Sequence, residues 1–235
     1  MRVAVIQSSY IPWRGYFDVI RSVDKFVIYD DVQYSTGSWR NRNKLKTPEG
    51  LRWISVPVHT ELGLAIDQVR IGRPRKPWRD EHRRLLHQAL EQAPYFEDVM
   101  RLWEEGVQPD VERLSELNLR LTRLICDYFS IATPLVMSRD YAAQGNKTTR
   151  LIDLLKKLGA TAYLSGPAAK DYIDLNLFGE ARIRLEYKTY DYVPYPQLWG
   201  NFEGAVTALD LIANCGPQAV KFLTSCSPHE VAVAI

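Results

Sequence analysis

No apolar run in this sequence approaches the ~20 residues that a helix needs to cross a bilayer, so a helical membrane span is not expected. Cysteine is scarce. Cys126, Cys215 and Cys226 make an odd number, without CxxC spacing or a neighbouring histidine cluster. That pattern fits a reducing compartment and argues against a disulfide framework or a structural zinc site, so no metal is expected. The formal charge of +2 lacks the basic excess of a nucleic-acid binder, and no nucleic-acid partner is expected. Histidine is also sparse at four residues, and neither a GxSxG element nor a Ser-His-Asp set is visible. VAVI near the start is too short for the apolar core of a signal peptide, and polar residues follow at once. The expected location is the cytoplasm.

What is present suits a sizeable core: 46% hydrophobic and 25% charged residues. VAVI (3–6) reads as a buried strand, Pro12 to Ser22 as a helix, and KFVIYD (25–30) as a second strand. Tyr34 to Lys46 reads as a polar loop, LRWISVPVH (51–59) as a third strand, and 66–71 as a short one. Trp78 to about 130 turns helical, in three segments ending with the stripe Leu114, Leu117, Leu121, Leu124 and Ile125. Strand 134–140, helix 147–158, strand 161–166, an alternating stretch at 181–190 and a closing helix at 204–214 follow. Cys126 falls on an apolar helical face and is expected in the core. The expectation is one α/β domain over 1–235, with a mostly parallel sheet and a helical insertion at about 78–130. The arginine-rich stretch 70–84 reads as a solvated loop and helix start.

Ligands of such sheets sit outside the carboxyl ends of the strands. Five groups fall near those ends. Gln7 to Tyr16 is a polar, aromatic loop opening a helix; Gln7, Tyr10, Trp13, Gly15 and Tyr16 are candidate substrate contacts. Asp30, Asp31 and Tyr34 close strand two, and their carboxylates suit sugar hydroxyls. In 38-SWRNRNK-44, Trp39 offers a stacking face, Asn41 and Asn43 amide contacts, and Arg42 a guanidinium fork for phosphate or carboxylate. In 145-GNKTTR-150, Asn146 suits a helix cap, leaving Lys147, Thr148 and Arg150 at the positive helix end as a phosphate site. Ser165 and Gly166 end the strand in 163-YLSGPAAKDY-172. His82, four residues after Trp78, is the candidate general base.

QSSYIPWRGYFD, then FVIYDDVQY with SWRNRNK, YLSG, YPQ and LDLIANCG resemble the WbqC-like family over nearly the whole chain. The family is associated with bacterial surface-polysaccharide gene clusters. The resemblance implies a bacterial enzyme of glycan tailoring. It departs at Ser8, where the family commonly has proline, and a looser loop is expected there. A second, weaker similarity is to nucleotidylyl transferases of the HUP type, whose H-x-G-H would fall on W-R-G-Y (13–16). With Trp13 and Tyr16 in the two histidine places, adenylylation chemistry does not carry over. The leading expectation is a transferase that attaches an acyl or aminoacyl group to a nucleotide-linked amino sugar. Alternatives are a non-catalytic nucleotide-sugar or glycan binder and a nucleotidylyl transferase. A homodimer is compatible with the sequence, and no cofactor is indicated.

Overall fold

Alternate residues of the first strands point to opposite faces, as a pleated strand requires. Val3, Val5 and Val27 belong to one apolar cluster, and Ala4, Phe26 and Ile28 to a second. Both faces are therefore covered, which explains why these strands read as continuous apolar runs. The computed structural model describes residues 1–234.

In chain order the elements are β1 (Arg2–Ile6), α1 (Arg14–Arg21), β2 (Lys25–Ile28), β3 (Arg42–Thr47), β4 (Gly50–Ser55), β5 (Val58–His59) and β6 (Arg70–Ile71). There follow α2 (Trp78–Leu90), α3 (Phe96–Gly106), α4 (Leu114–Tyr128), β7 (Leu135–Met137), α5 (Lys147–Lys157), β8 (Ala162–Ser165), α6 (Leu175–Ala181), β9 (Arg184–Tyr187), α7 (Ala208–Cys215) and β10 (Glu230–Val233). The main sheet has the order β10-β9-β8-β1-β2-β7. Every pairing from β9 to β7 is parallel, and only β10 is antiparallel, at the edge.

The sheet starts at β1, grows outward through β2 to β7, then returns to the other side of β1 for β8 and β9. This is doubly wound topology. Its crossovers use opposite faces: α1 and α4 pack in the larger cluster, with α2, α3 and α7, whereas residues of α5 and α6 pack in the smaller one. The order reverses between β1 and β8, and the crevice outside their carboxyl ends is where such sheets receive ligands.

The mostly parallel α/β class is as the sequence implied, but the loop expected from Tyr34 to Lys46 needs correcting, and the strand expected at 51–59 is divided into β4 and β5. Residues 42–47 form β3 rather than loop, and they pair antiparallel with β4 from Arg42↔Ser55 to Thr47↔Gly50. This hairpin is a separate two-stranded sheet. A polar strand such as RNKLKT needs only one buried face, and Asn43, Leu45 and Thr47 supply it. Gly50 closes the hairpin at φ +106°, which side chains rarely tolerate. Residues 66–68 form a short 3₁₀ turn before β6, and α6 and β10 carry no clear periodic signal. Four arginines of 70–84 lie in exposed ion pairs: Arg70 and Arg73 with Glu112, Arg83 with Asp80 and Glu104, and Arg84 with Glu81. Cys126 is buried. No helix among the described residues is long and apolar enough to cross a membrane.

Candidate functional site

A cleft of about 1070 Å³ opens at the switch point. Val5 and Tyr163 form its floor from β1 and β8; Tyr29, Asp31 and Gln33 enter from the end of β2; Gly145 to Thr148 and Arg150 come from the start of α5; and Asp171 to Ile173 close it after β8. The expected phosphate group Lys147, Thr148 and Arg150 is thus brought together with Asp31.

The chain reaches this arrangement through backbone that few residues adopt freely. Gly145 takes φ +93° and Lys147 φ +43°, a left-handed conformation that costs a residue with a side chain ~1–3 kcal/mol. The Thr149 hydroxyl accepts from the Asn146 N–H at 3.1 Å and donates to the Asn146 carbonyl at 2.7 Å, pinning the entry to α5. The first backbone N–H groups of α5 have no partner within the helix and carry its positive dipole end. Lys147 is exposed and has no ion-pair partner among the described residues. Thr148 is buried, and its hydroxyl accepts from the Asp174 N–H at 3.2 Å, so it braces the wall. Arg150 is oriented by Asp31: its Nη2 donates to Oδ2 at 2.7 Å, and its guanidinium lies 5.3 Å from the Tyr29 ring centre. The Ser138 hydroxyl donates to the other Asp31 oxygen. Asp31 therefore faces the cleft as a half-buried, well-held carboxylate.

Several expected contacts belong to the interior instead. Asp30 is wholly buried: Oδ1 accepts from the Ser8 N–H at 2.8 Å and Oδ2 from the Ser115 hydroxyl at 2.5 Å. Burial raises its pKa, and these hydrogen bonds pull it partly back. Ser8, expected to loosen the loop, tightens it, because proline has no N–H to give Asp30. The Ser8 hydroxyl also accepts from Asn118 at 3.0 Å. Tyr10 is fully buried, and Tyr16 is core, donating its hydroxyl to the Gln7 carbonyl at 3.3 Å. Gly15 lies beneath Trp13, where a Cβ would come within 2.3 Å of the indole. Trp13 packs edge-on against Tyr190 and Tyr192. The Gln7 side chain accepts from Arg40, a residue whose pKa burial lowers and whose neighbours Tyr16 and Asp30 push it back up. Buried Ser165 and the following Gly166 lie outside the cleft wall.

His82, the expected general base, is 2% exposed in the core. Its Nδ1 pairs with the Tyr10 hydroxyl at 2.9 Å and its Nε2 with the Ser55 carbonyl at 3.0 Å, between the rings of Trp78 and Trp103. The Trp103 indole N–H also donates to the Tyr10 hydroxyl at 3.0 Å. Burial lowers the His82 pKa to about 4. An imidazole with both nitrogens engaged and no place in the cleft wall is a packing residue. His82 is therefore not placed to act as a base in the cleft.

The segment 39–43 is also separate from the cleft. The Asn43 amide donates to the carbonyls of Tyr10 and Ile11 at 3.1 and 2.8 Å, and Asn41 binds Tyr34 and the Val56 carbonyl, so both asparagines fasten the hairpin. Arg42, expected on a phosphate, lies over the ring of Trp53 at 4.2 Å. Tyr29, Tyr163, Asp171 and Tyr172 also line the cleft without a sequence signal to mark them, whereas Gln33 belongs to the polar group that closes strand two. Tyr163 and Tyr172 bracket the YLSGPAAKDY stretch, but nothing local distinguishes a tyrosine lining a cleft from one filling a core. Among the described residues, no cluster of three or more His, Cys, Asp or Glu is placed to hold a metal ion.

Topology and cleft together define a doubly wound α/β protein with a polar, aromatic pocket at its switch point. The chain belongs to the WbqC-like protein family, whose model matches residues 7–222. It is 43% identical over 229 residues to the uncharacterized protein Rv1507c of Mycobacterium tuberculosis (strain ATCC 25618 / H37Rv), a match covering 96% of this chain and 98% of that protein. No solved structure matches it.

Proposed function

We propose that the protein is a transferase of bacterial surface-polysaccharide biosynthesis that holds a nucleotide-linked amino sugar in the switch-point cleft. The observation that carries this reading is the free Lys147 ammonium at the N-terminus of α5, opposite the Asp31–Arg150 pair. A diphosphate suits Lys147 and the exposed helix N–H groups. Asp31 suits sugar hydroxyls, and Tyr29, Tyr163 and Tyr172 suit a base or sugar ring. In the transfer, the sugar amine attacks the carbonyl carbon of an activated acyl or aminoacyl ester. A C–N bond forms, the ester bond breaks, and the leaving group departs with the amine proton. The protein's part is to align the two reactants in one site.

The burial of His82 favours a second reading, a nucleotide-sugar binding protein without turnover, because the cleft then contains no histidine base. Incubation with a panel of nucleotide amino sugars and acyl donors, followed by mass spectrometry, separates the two. An acylated sugar supports the transferase, and tight binding with no product supports the binder. In either case Lys147→Ala is expected to weaken nucleotide-sugar binding by about 1.5–3 kcal/mol, roughly 10- to 150-fold, as for a hydrogen bond to a charged group. Arg42→Ala, on the hairpin, should leave that affinity unchanged. Calorimetry showing Arg42→Ala to be as damaging as Lys147→Ala would remove the diphosphate from this cleft.

A further inference from the structure

The β3–β4 hairpin has one face in the core, through the fully buried Leu45 and Ile54, and a second face that is covered at Lys46 but half-exposed at Arg42, Lys44 and Trp53. Strand alternation puts Arg42 and Lys44 on that outer face, opposite Ser55 and Trp53 of β4. Trp39, from the turn before β3, joins them. Trp39 and Trp53 are each 44% exposed, and their ring centres lie 5.3 Å apart at an interplanar angle of 42°. The Arg42 guanidinium is 4.2 Å from the Trp53 ring centre and the Lys44 ammonium 5.2 Å. Neither cation has a carboxylate within 4.0 Å among the described residues.

Two adjacent, half-exposed indoles in water are an unusual expense for a folded chain, and such patches mark interaction sites. The surrounding charge identifies the partner. A second copy seated on this face in a two-fold dimer would set the same cations against one another, because the same patch appears on both sides. The charge of the patch complements an anionic partner. Its size is limited by the patch, which offers two rings and two cations, not an extended basic track. Single-stranded nucleic acid also uses aromatics and cations, but its flat bases stack on flat platforms. Two indoles inclined at 42° are not one flat platform, and they suit a puckered sugar ring lying by its C–H face on the aromatic quadrupoles.

We infer that the outer face of the β3–β4 hairpin binds a saccharide bearing carboxylates, with the sugar ring on Trp39 and Trp53 and a carboxylate at Arg42 and Lys44. Guanidinium and ammonium donors both favour that group. The site is independent of the nucleotide-sugar reading, since none of its residues lines the cleft.

Trigalacturonate is the test probe, with maltotriose as its neutral counterpart and oligothymidylate as the nucleic-acid control, each titrated by calorimetry. Wild-type protein is expected to bind trigalacturonate, and maltotriose about tenfold more weakly or worse. Trp53→Ala should weaken trigalacturonate binding about tenfold or more, the scale of one aromatic stacking contact. Lys44→Glu should do the same by charge reversal at a surface position, which keeps the test valid if Trp53→Ala proves unstable by circular dichroism. Lys147→Ala should leave trigalacturonate binding unchanged. Absence of trigalacturonate binding, equal affinity for maltotriose, full binding by Lys44→Glu, tighter binding of oligothymidylate, or loss of binding in Lys147→Ala would each overturn the assignment.

Discussion

Replacing Lys188 with methionine is expected to lower the unfolding free energy by about 3–5 kcal/mol, the cost of removing one partner from a buried ion pair. Lys188 Nζ lies 2.6 Å from Asp18 Oδ2, and the two side chains are 2% and 1% exposed. Asp18 sits on α1, and Lys188 directly follows β9. The same carboxylate oxygen accepts from the Tyr192 hydroxyl at 2.8 Å and from the Ser225 N–H at 3.1 Å, so it gathers the chain after β9 onto α1. Methionine fills the space of the lysine stem but leaves Asp18 charged in the interior. At ~2–4 °C per kcal/mol for a chain of this size, the melting temperature should fall by about 6–20 °C. Adding Asp18→Asn should recover part of the loss, because the stranded charge is then gone. A single-variant loss below about 1 kcal/mol would mean that solvent reaches this pair.

Acidification should destabilise the fold by about 3 kcal/mol through His82 alone. Its pKa is about 4 in the folded state against an ordinary value of 6.5, and each unit corresponds to ~1.4 kcal/mol. Between those two values the unfolded chain binds a proton that the folded chain refuses, so stability rises with pH across the window. The His82 contribution is complete above 6.5 and is lost as the pH falls to about 4. Buried Asp30 and Asp210, whose pKa values burial raises, act in the opposite sense at the acid end. The difference between wild type and His82→Gln isolates the histidine. The glutamine variant should be less stable at pH 7, because the Tyr10–His82–Ser55 contacts are disturbed. That deficit should shrink by about 3 kcal/mol toward pH 4. Denaturant unfolding that finds the same deficit at both pH values would show that His82 titrates normally. Turnover or ligand binding per folded molecule should be unaffected.

Much of the architecture was legible because it is locally encoded. VAVI and KFVI are too apolar and too short for anything but buried strands, and the stripe from Leu114 to Ile125 has helical period. The GNKTTR stretch carried its own signals: a glycine that takes positive φ, then polar residues at a helix start. Lys147, Thr148 and Arg150 come to one cleft for that reason, and Asp31 joins them there because the chain ends β2 beside the start of α5. The hairpin was misread because Arg42 to Thr47 is polar enough to resemble a loop. Its apolar face consists of little more than Leu45, and burial of Asn43 and Thr47 depends on carbonyls and packing supplied by other segments.

The sequence by itself determined the central strands and the longer helices, the alternation that builds a mostly parallel sheet, and the cationic start of α5, because neighbours along the chain decide these through periodicity and backbone geometry. Only the tertiary structure decided which polar side chains line the cleft. Asp30 and Asp31 are adjacent, yet one is sealed against Ser8 and Ser115 and the other opens into the cleft with Arg150. Arg40 and Arg42 are two residues apart, yet one turns in to Gln7 and the other lies out on Trp53. His82 has the pattern of a base and the surroundings of a core residue, given by Tyr10, Ser55 and Trp103 from three distant segments. A polar group's role follows from whether its hydrogen bonds are satisfied by protein or left for a ligand. That is settled by partners far away in sequence, which no local pattern contains.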